Sequence, residues 1–228
     1  MKQLVLDIGL ASGPTLDGFF AGSNEAALRH LRLWVGEGEG AQARSPVPTY
    51  LWGESGSGKT HLLEAVCCAL HEQGVRVGWL RAGTHEPQPF DDGWDAVLLD
   101  DVDRYSAQQQ HMAFNWFVNA QSLQCGVIAA GALPPADLPL REDLRTRLGW
   151  GHVFHLQVLG EMQRRAVLRQ AADARGVRLS DEVIDYVLHR FSRDLGSLME
   201  LLVQLDGYAL RMQRAITIPL VRSMLENQ

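Results

Sequence analysis

A chain of 228 residues with 46% hydrophobic and 21% charged residues has the make-up of a globular protein, which excludes disorder, collagen and fibrous coiled coil as descriptions of the whole. A formal net charge of −6 argues against a nucleic-acid coat, since phosphate binding draws on an excess of Lys and Arg. Three cysteines are too few to frame a chain of this length. With no apolar run of membrane-spanning length and no signal peptide, the sequence predicts reduced thiols and a cytoplasmic protein with no membrane contact.

Residues 1–14 read as a tail, with a short apolar alternation from Gln3 to Ile8 ahead of a Gly/Ser/Pro cluster. A helix is expected over 23–35, where Ser23 or Asn24 can cap and Ala27, Leu28, Leu31 and Val35 mark one face. The Gly-rich stretch 36–46 is a loop. Strands are then expected at 49–52, 75–81, 96–99, 126–130 and 153–156, with helices over 61–74 and 107–124 between them. The prolines at 133–140 mark a loop. After about residue 160 the strands stop, and helices are expected over 161–175, 181–192, 195–213 and 219–226. Ser180 serves as a cap and Pro219 stands at a first helical position. This order predicts an α/β fold: a parallel sheet flanked by helices over residues 15–160, followed by a small all-helical unit over 161–228.

The segment Gly53-Glu54-Ser55-Gly56-Ser57-Gly58-Lys59-Thr60 fits the P-loop pattern at every required position. Small residues let consecutive backbone N–H groups curl around phosphate oxygens, and the following helix turns its positive end to the anion. Lys59 is placed to reach the β and γ phosphates, and the Thr60 hydroxyl to ligate Mg²⁺. The apolar run 96–99 ends in Asp100 and Asp101, at the strand end where ligands bind in such sheets. There Asp100 would hold Mg²⁺ through water and Asp101 would polarise an attacking water. Asp103 reads as added charge. The six tryptophans are scattered and read as core and interface residues. The eight histidines are dispersed and suggest no metal site.

P-loop, acidic strand end and trailing helical unit together resemble the AAA+ ATPases, whose small helical lid closes over the nucleotide. The segments LWGESGSGKTHLLEAVC, VLLDDVD, ALPPADL, LRTRLGWG and TIPLVRSML resemble the DnaA initiators and, more closely, the short inactivators of the Hda family. The resemblance implies an adenine nucleotide, ADP or ATP, with Mg²⁺. It implies a regulator of replication initiation that promotes hydrolysis of DnaA-bound ATP in trans. Arg147 occupies the position of the arginine that one AAA+ subunit offers to its neighbour's nucleotide; Arg145 is the runner-up and Arg141 a weaker third. A surface pairing of Arg147 with Glu142 or Asp143 is the plain alternative. The tail Gln3-Leu4-Val5-Leu6-Asp7-Ile8 resembles peptides that dock on the sliding clamp (beta), with Gln3 as polar anchor and Leu4, Leu6 and Ile8 as apolar ones. DnaA and the clamp are thus the expected partners, and a homodimer is allowed. Direct DNA binding is not expected, because the chain is acidic and stops without the helix-turn-helix domain that DnaA carries.

Two departures bear on hydrolysis. Where AAA+ proteins place a polar sensor residue after the strand beside the acidic one, this chain has Ala130, Gly131 and Ala132. Where DnaA-like lids carry an arginine, it has Gly196, with Arg193 three residues earlier as a substitute. Weak intrinsic hydrolysis is therefore expected. The alternative is a self-sufficient AAA+ ATPase acting as a loader or an initiator-like DNA-binding factor, which the Asp100–Asp101 pair supports.

Overall fold

The computed structural model describes residues 14–37, 45–86, 88–190 and 195–226. The segment Gln3–Ile8, expected from its sequence to dock on the clamp, and Arg193 lie outside these described residues. The described elements are α1 (Glu25–Val35), β1 (Thr49–Trp52), α2 (Lys59–Glu72), β2 (Val77–Arg81), β3 (Ala96–Asp100), α3 (Ala107–Ser122), β4 (Gly126–Gly131), α4 (Glu142–Gly149), β5 (His152–His155), α5 (Glu161–Ala174), α6 (Asp181–Arg190), α7 (Leu195–Met212) and α8 (Ile218–Glu226).

The five strands form one sheet in the order β2-β3-β4-β1-β5, and every pairing is parallel. The sequence explains why the middle is buried on both faces. β3, up to its terminal Asp100, and β4 are continuous apolar runs with no polar face to turn to water. Their side chains divide by the two-residue strand period. Leu51, Ala96, Leu98, Ile128 and Ala130 join the core under α1 and α2. Tyr50, Val97, Leu99, Val127 and Ala129 join the core under α3 and α4. A third apolar cluster, from Leu168 to Met224, lies among α5–α8.

Helix ends follow local chemistry. α3 opens with a capping box: Ser106 Oγ accepts from Gln109 N at 3.3 Å and Ser106 N donates to Gln109 Oε1 at 2.9 Å. The buried Gln109 amide also donates to Ala82 O and Thr84 O, pinning α3 beside the end of β2. Ser180 Oγ accepts from Val183 N, as its sequence position predicts.

The tryptophans divide. Trp34, Trp94 and Trp116 are buried, whereas Trp150 is 65% exposed. It stands just beyond the end of α4. No helix among the described residues is long and apolar enough to cross a membrane.

Candidate nucleotide site

Parallel pairing brings the C-terminal ends of all five strands to one rim, so the loops after β1, β3 and β4 meet although they are far apart in sequence. The glycines of the loop after β1 are needed for space as well as for backbone freedom. A Cβ on Gly53 would run into the Leu156 carbonyl, and one on Gly58 would come within 2.6 Å of the Phe19 ring. Gly58 also sits at φ 92°, a left-handed conformation that opens α2. Helix α2 begins at Lys59, two residues before the helix expected from sequence, because the GKT segment itself forms its first turn.

Lys59 lies folded into this loop. Its Nζ donates to Gly53 O at 2.7 Å and to Glu54 O at 2.9 Å. Burial lowers its pKa, and the carboxylates of Asp101, Asp103 and Asp100 oppose that shift. Both backbone partners are weaker attractions for an ammonium than a phosphate anion, so the lysine is positioned for exchange onto a nucleotide. The Thr60 hydroxyl donates to the Asp100 carboxylate, which lies at the end of β3. Burial raises the Asp100 pKa, while the Thr60 bond holds it down. A hydroxyl and a carboxylate side by side are hard oxygen donors of the kind Mg²⁺ takes, with phosphates and water completing the shell. Among the described residues no group of three or more His, Cys, Asp or Glu is placed to hold a metal without such help.

Asp101 adopts φ 53° and ψ 45°, a left-handed conformation rare for a residue with a Cβ and concentrated at functional sites. Its N–H donates to Asp100 Oδ1 at 3.0 Å, and its carboxylate lies 3.5 Å from Arg104. Asp103, read from sequence as added charge, has a structural part: its Oδ1 accepts from Ala132 N at 2.7 Å. It thereby ties the β3 loop to the end of β4, beside the Tyr50 hydroxyl that donates to Leu133 O. The Asp-Asp-Val-Asp spacing was the available signal, but only the sheet order shows that β4 is the neighbour. At the sensor position Ala130 is buried and Ala132 offers only its backbone. Gly196 lies exposed near the start of α7.

The three arginines around α4 differ in their partners. Arg141 forms an ion pair with Asp143 at 2.7 Å. Arg145 has its backbone N–H in the first turn of the helix. Arg147 makes neither of the carboxylate pairings considered from sequence, since Asp143 is taken by Arg141. Instead its Nη1 donates to Gln121 Oε1 on α3 at 2.8 Å, and its guanidinium carbon lies 5.2 Å from the Phe114 ring centroid and 5.8 Å from that of Phe117.

Residues 161–225 match the protein family described as the lid domain of Hda. Domain III of the replication initiation protein DnaA from Thermotoga maritima superposes with a TM-score of 0.72 at 20% identity, covering 99% of this chain and 98% of that one. The chain has the fold of DnaA domain III, and its residues 161–225 match the lid of Hda. AMPPCP-bound DnaA from Aquifex aeolicus gives a TM-score of 0.66 at 23% identity, over 86% of this chain and 65% of that one. A RuvB variant from Thermotoga maritima gives 0.61 at 16% identity, over 93% and 71%. The likeness to DnaA domain III extends over both the sheet and the helices that follow its last strand. The Gly53–Thr60 loop and the Asp100 strand end stand together on the rim formed by the strand ends.

Proposed function

We propose that this chain is an adenine-nucleotide-binding regulator of replication initiation, which promotes hydrolysis of ATP on DnaA in trans through Arg147 while its tail, Gln3–Ile8, docks on the sliding clamp. The observation that carries the reading is the Hda-type lid behind an AAA+ core that keeps its phosphate loop but offers no side chain beyond a methyl at the sensor position. The chain's own nucleotide, with Mg²⁺ at Thr60 and Asp100, would serve to set its shape, and its neighbour's would be the substrate. In that reaction a water attacks the γ-phosphorus of DnaA-bound ATP, the bond to the β,γ-bridging oxygen breaks, and ADP and phosphate leave. Arg147 addresses the charge spread over the transferring oxygens with a planar fork that lysine lacks.

The test is a mixing assay with ATP-loaded DnaA, loaded clamp, DNA and this protein, counting ADP formed. Arg147→Ala should leave folding, ADP binding and clamp binding in place and abolish the stimulation; Arg147→Lys should recover little of it. Normal stimulation by Arg147→Ala would sink the assignment and move it to Arg145. The second reading, a self-sufficient ATPase, draws on the Thr60–Asp100 contact and on Asp101. It requires the isolated protein to turn over ATP at about 1 s⁻¹ or faster, whereas the regulator reading expects far slower turnover.

A further inference from the structure

Arg147 is oriented by groups that carry no charge. On α3, Phe114, Phe117 and Gln121 follow a spacing of three and four residues and so lie along one helix face. Phe117 is fully buried and Phe114 half-buried. The Arg147 guanidinium lies against both rings and donates to the Gln121 amide. An arginine only donates, so the amide must present its oxygen and has no proton or negative charge to give up in return. Arg141 lies against the same Phe114 ring, 4.9 Å from its centroid, yet it is already neutralised by Asp143. Among the described residues Arg147 forms no ion pair. The platform is stiff, because α3 is held by its capping box at one end and by the buried Trp116 and Phe117 along its length.

We propose that Gln121 and Phe114 are positioning residues for Arg147: they hold its guanidinium in a defined orientation without neutralising it, and so present an uncompensated positive charge to an anionic phosphoryl group. This rests on the reading of Arg147 as the residue offered in trans. A carboxylate in place of the Gln121 amide would give the guanidinium a permanent counter-ion, turning the support into a trap. A neutral truncation would free the side chain to wander, which costs rate because orientation is lost.

The experiment compares Gln121→Glu, Gln121→Ala and Phe114→Leu with the unaltered chain in the DnaA, clamp and DNA assay, titrating each protein to saturation. Gln121→Glu is nearly isosteric, so a merely structural role predicts no loss. The positioning role predicts a maximal stimulated rate lowered about tenfold or more, with half-saturation little changed. Gln121→Ala and Phe114→Leu should lower the maximal rate by smaller factors, and Gln121→Asn, one methylene too short, should not restore it. Melting temperatures on the same samples screen for unfolding. A wild-type maximal rate with Gln121→Glu, or a loss confined to half-saturation, overturns the proposal.

An independent readout uses the ADP-bound chain alone. The Arg147 side-chain NMR signals should shift and broaden differently in Gln121→Ala and Gln121→Glu; identical spectra overturn the platform without reference to DnaA. If those spectra change as expected and Arg147→Ala still stimulates normally, the trans reading of Arg147 fails and the contact with Gln121 stands as architecture alone.

Discussion

Lys59 carries the one full positive charge inside the Gly53–Thr60 loop, and the structure shows it spending that charge on two carbonyls. Lys59→Ala should therefore lower ADP affinity about tenfold or more, as loss of a charge-assisted hydrogen bond does; isothermal calorimetry showing equal affinity would reject the phosphate site. His30 supplies a second test at this scale. It lies half-buried, in hydrogen-bond contact with Thr49 Oγ1 at 2.8 Å and 4.6 Å from the His152 ring. Burial, and then the charge of His152, lower its pKa from 6.5 to about 4. Between those values the unfolded chain takes up a proton that the folded chain refuses. Stability should therefore fall as pH drops from about 6.5 to about 4 and be level in this respect above it. Melting curves of His30→Gln across the same range should show a shallower fall; an unchanged slope would assign it to other groups.

At the scale of elements, α3 connects the parts. Its first turn is capped by Ser106 and locked to the β2 end by Gln109, and its last turn meets Arg147 of α4. Ser106→Ala removes the cap and should cost about 1 kcal/mol of stability, seen as a lower melting temperature with ADP affinity intact. A loss of ADP binding in the folded variant would mean that α3 also governs the phosphate loop. α4 itself was legible only at its end, where the Gly-Trp-Gly turn follows Arg147. Its short run Glu142–Gly149 is mostly polar, with only Leu144 and Leu148 buried, so periodicity marks it weakly and contact with the core defines it.

For the whole molecule, the proposed division of labour is spatial. The proposed nucleotide site lies on the rim formed by the strand ends, Arg147, proposed to act in trans, lies on α4, and the proposed clamp-binding residues Gln3–Ile8 precede the buried Leu16 in the chain. Removing residues 1–8 should consequently abolish clamp binding and leave melting temperature and ADP affinity unchanged. A truncated protein that still binds the clamp as tightly, by surface plasmon resonance, would place the contact elsewhere. The lid has its own apolar cluster, built from residues such as Leu198, Leu202 and Leu205 that recur at helical spacing.

The sequence by itself determined the order of the strands and of every helix but α4, the Gly53–Thr60 loop and the acidic strand end, because each is a local pattern. Buried parallel strands must be apolar throughout, and a phosphate cradle must be small and end in Lys-Thr. Five strands and the lid helices are found within a residue or two of where the pattern puts them, and β5, displaced by one residue, still continues its ladder through Leu156 N to Trp52 O. What the sequence could not determine is which distant groups meet. That Asp103 ties off β4 through Ala132, that Asp143 answers to Arg141 and not to Arg147, and that a neutral amide and two rings hold Arg147 all follow from strand order and helix packing. Those are set by burying the two faces of one sheet, a property of the chain as a whole that no local window contains.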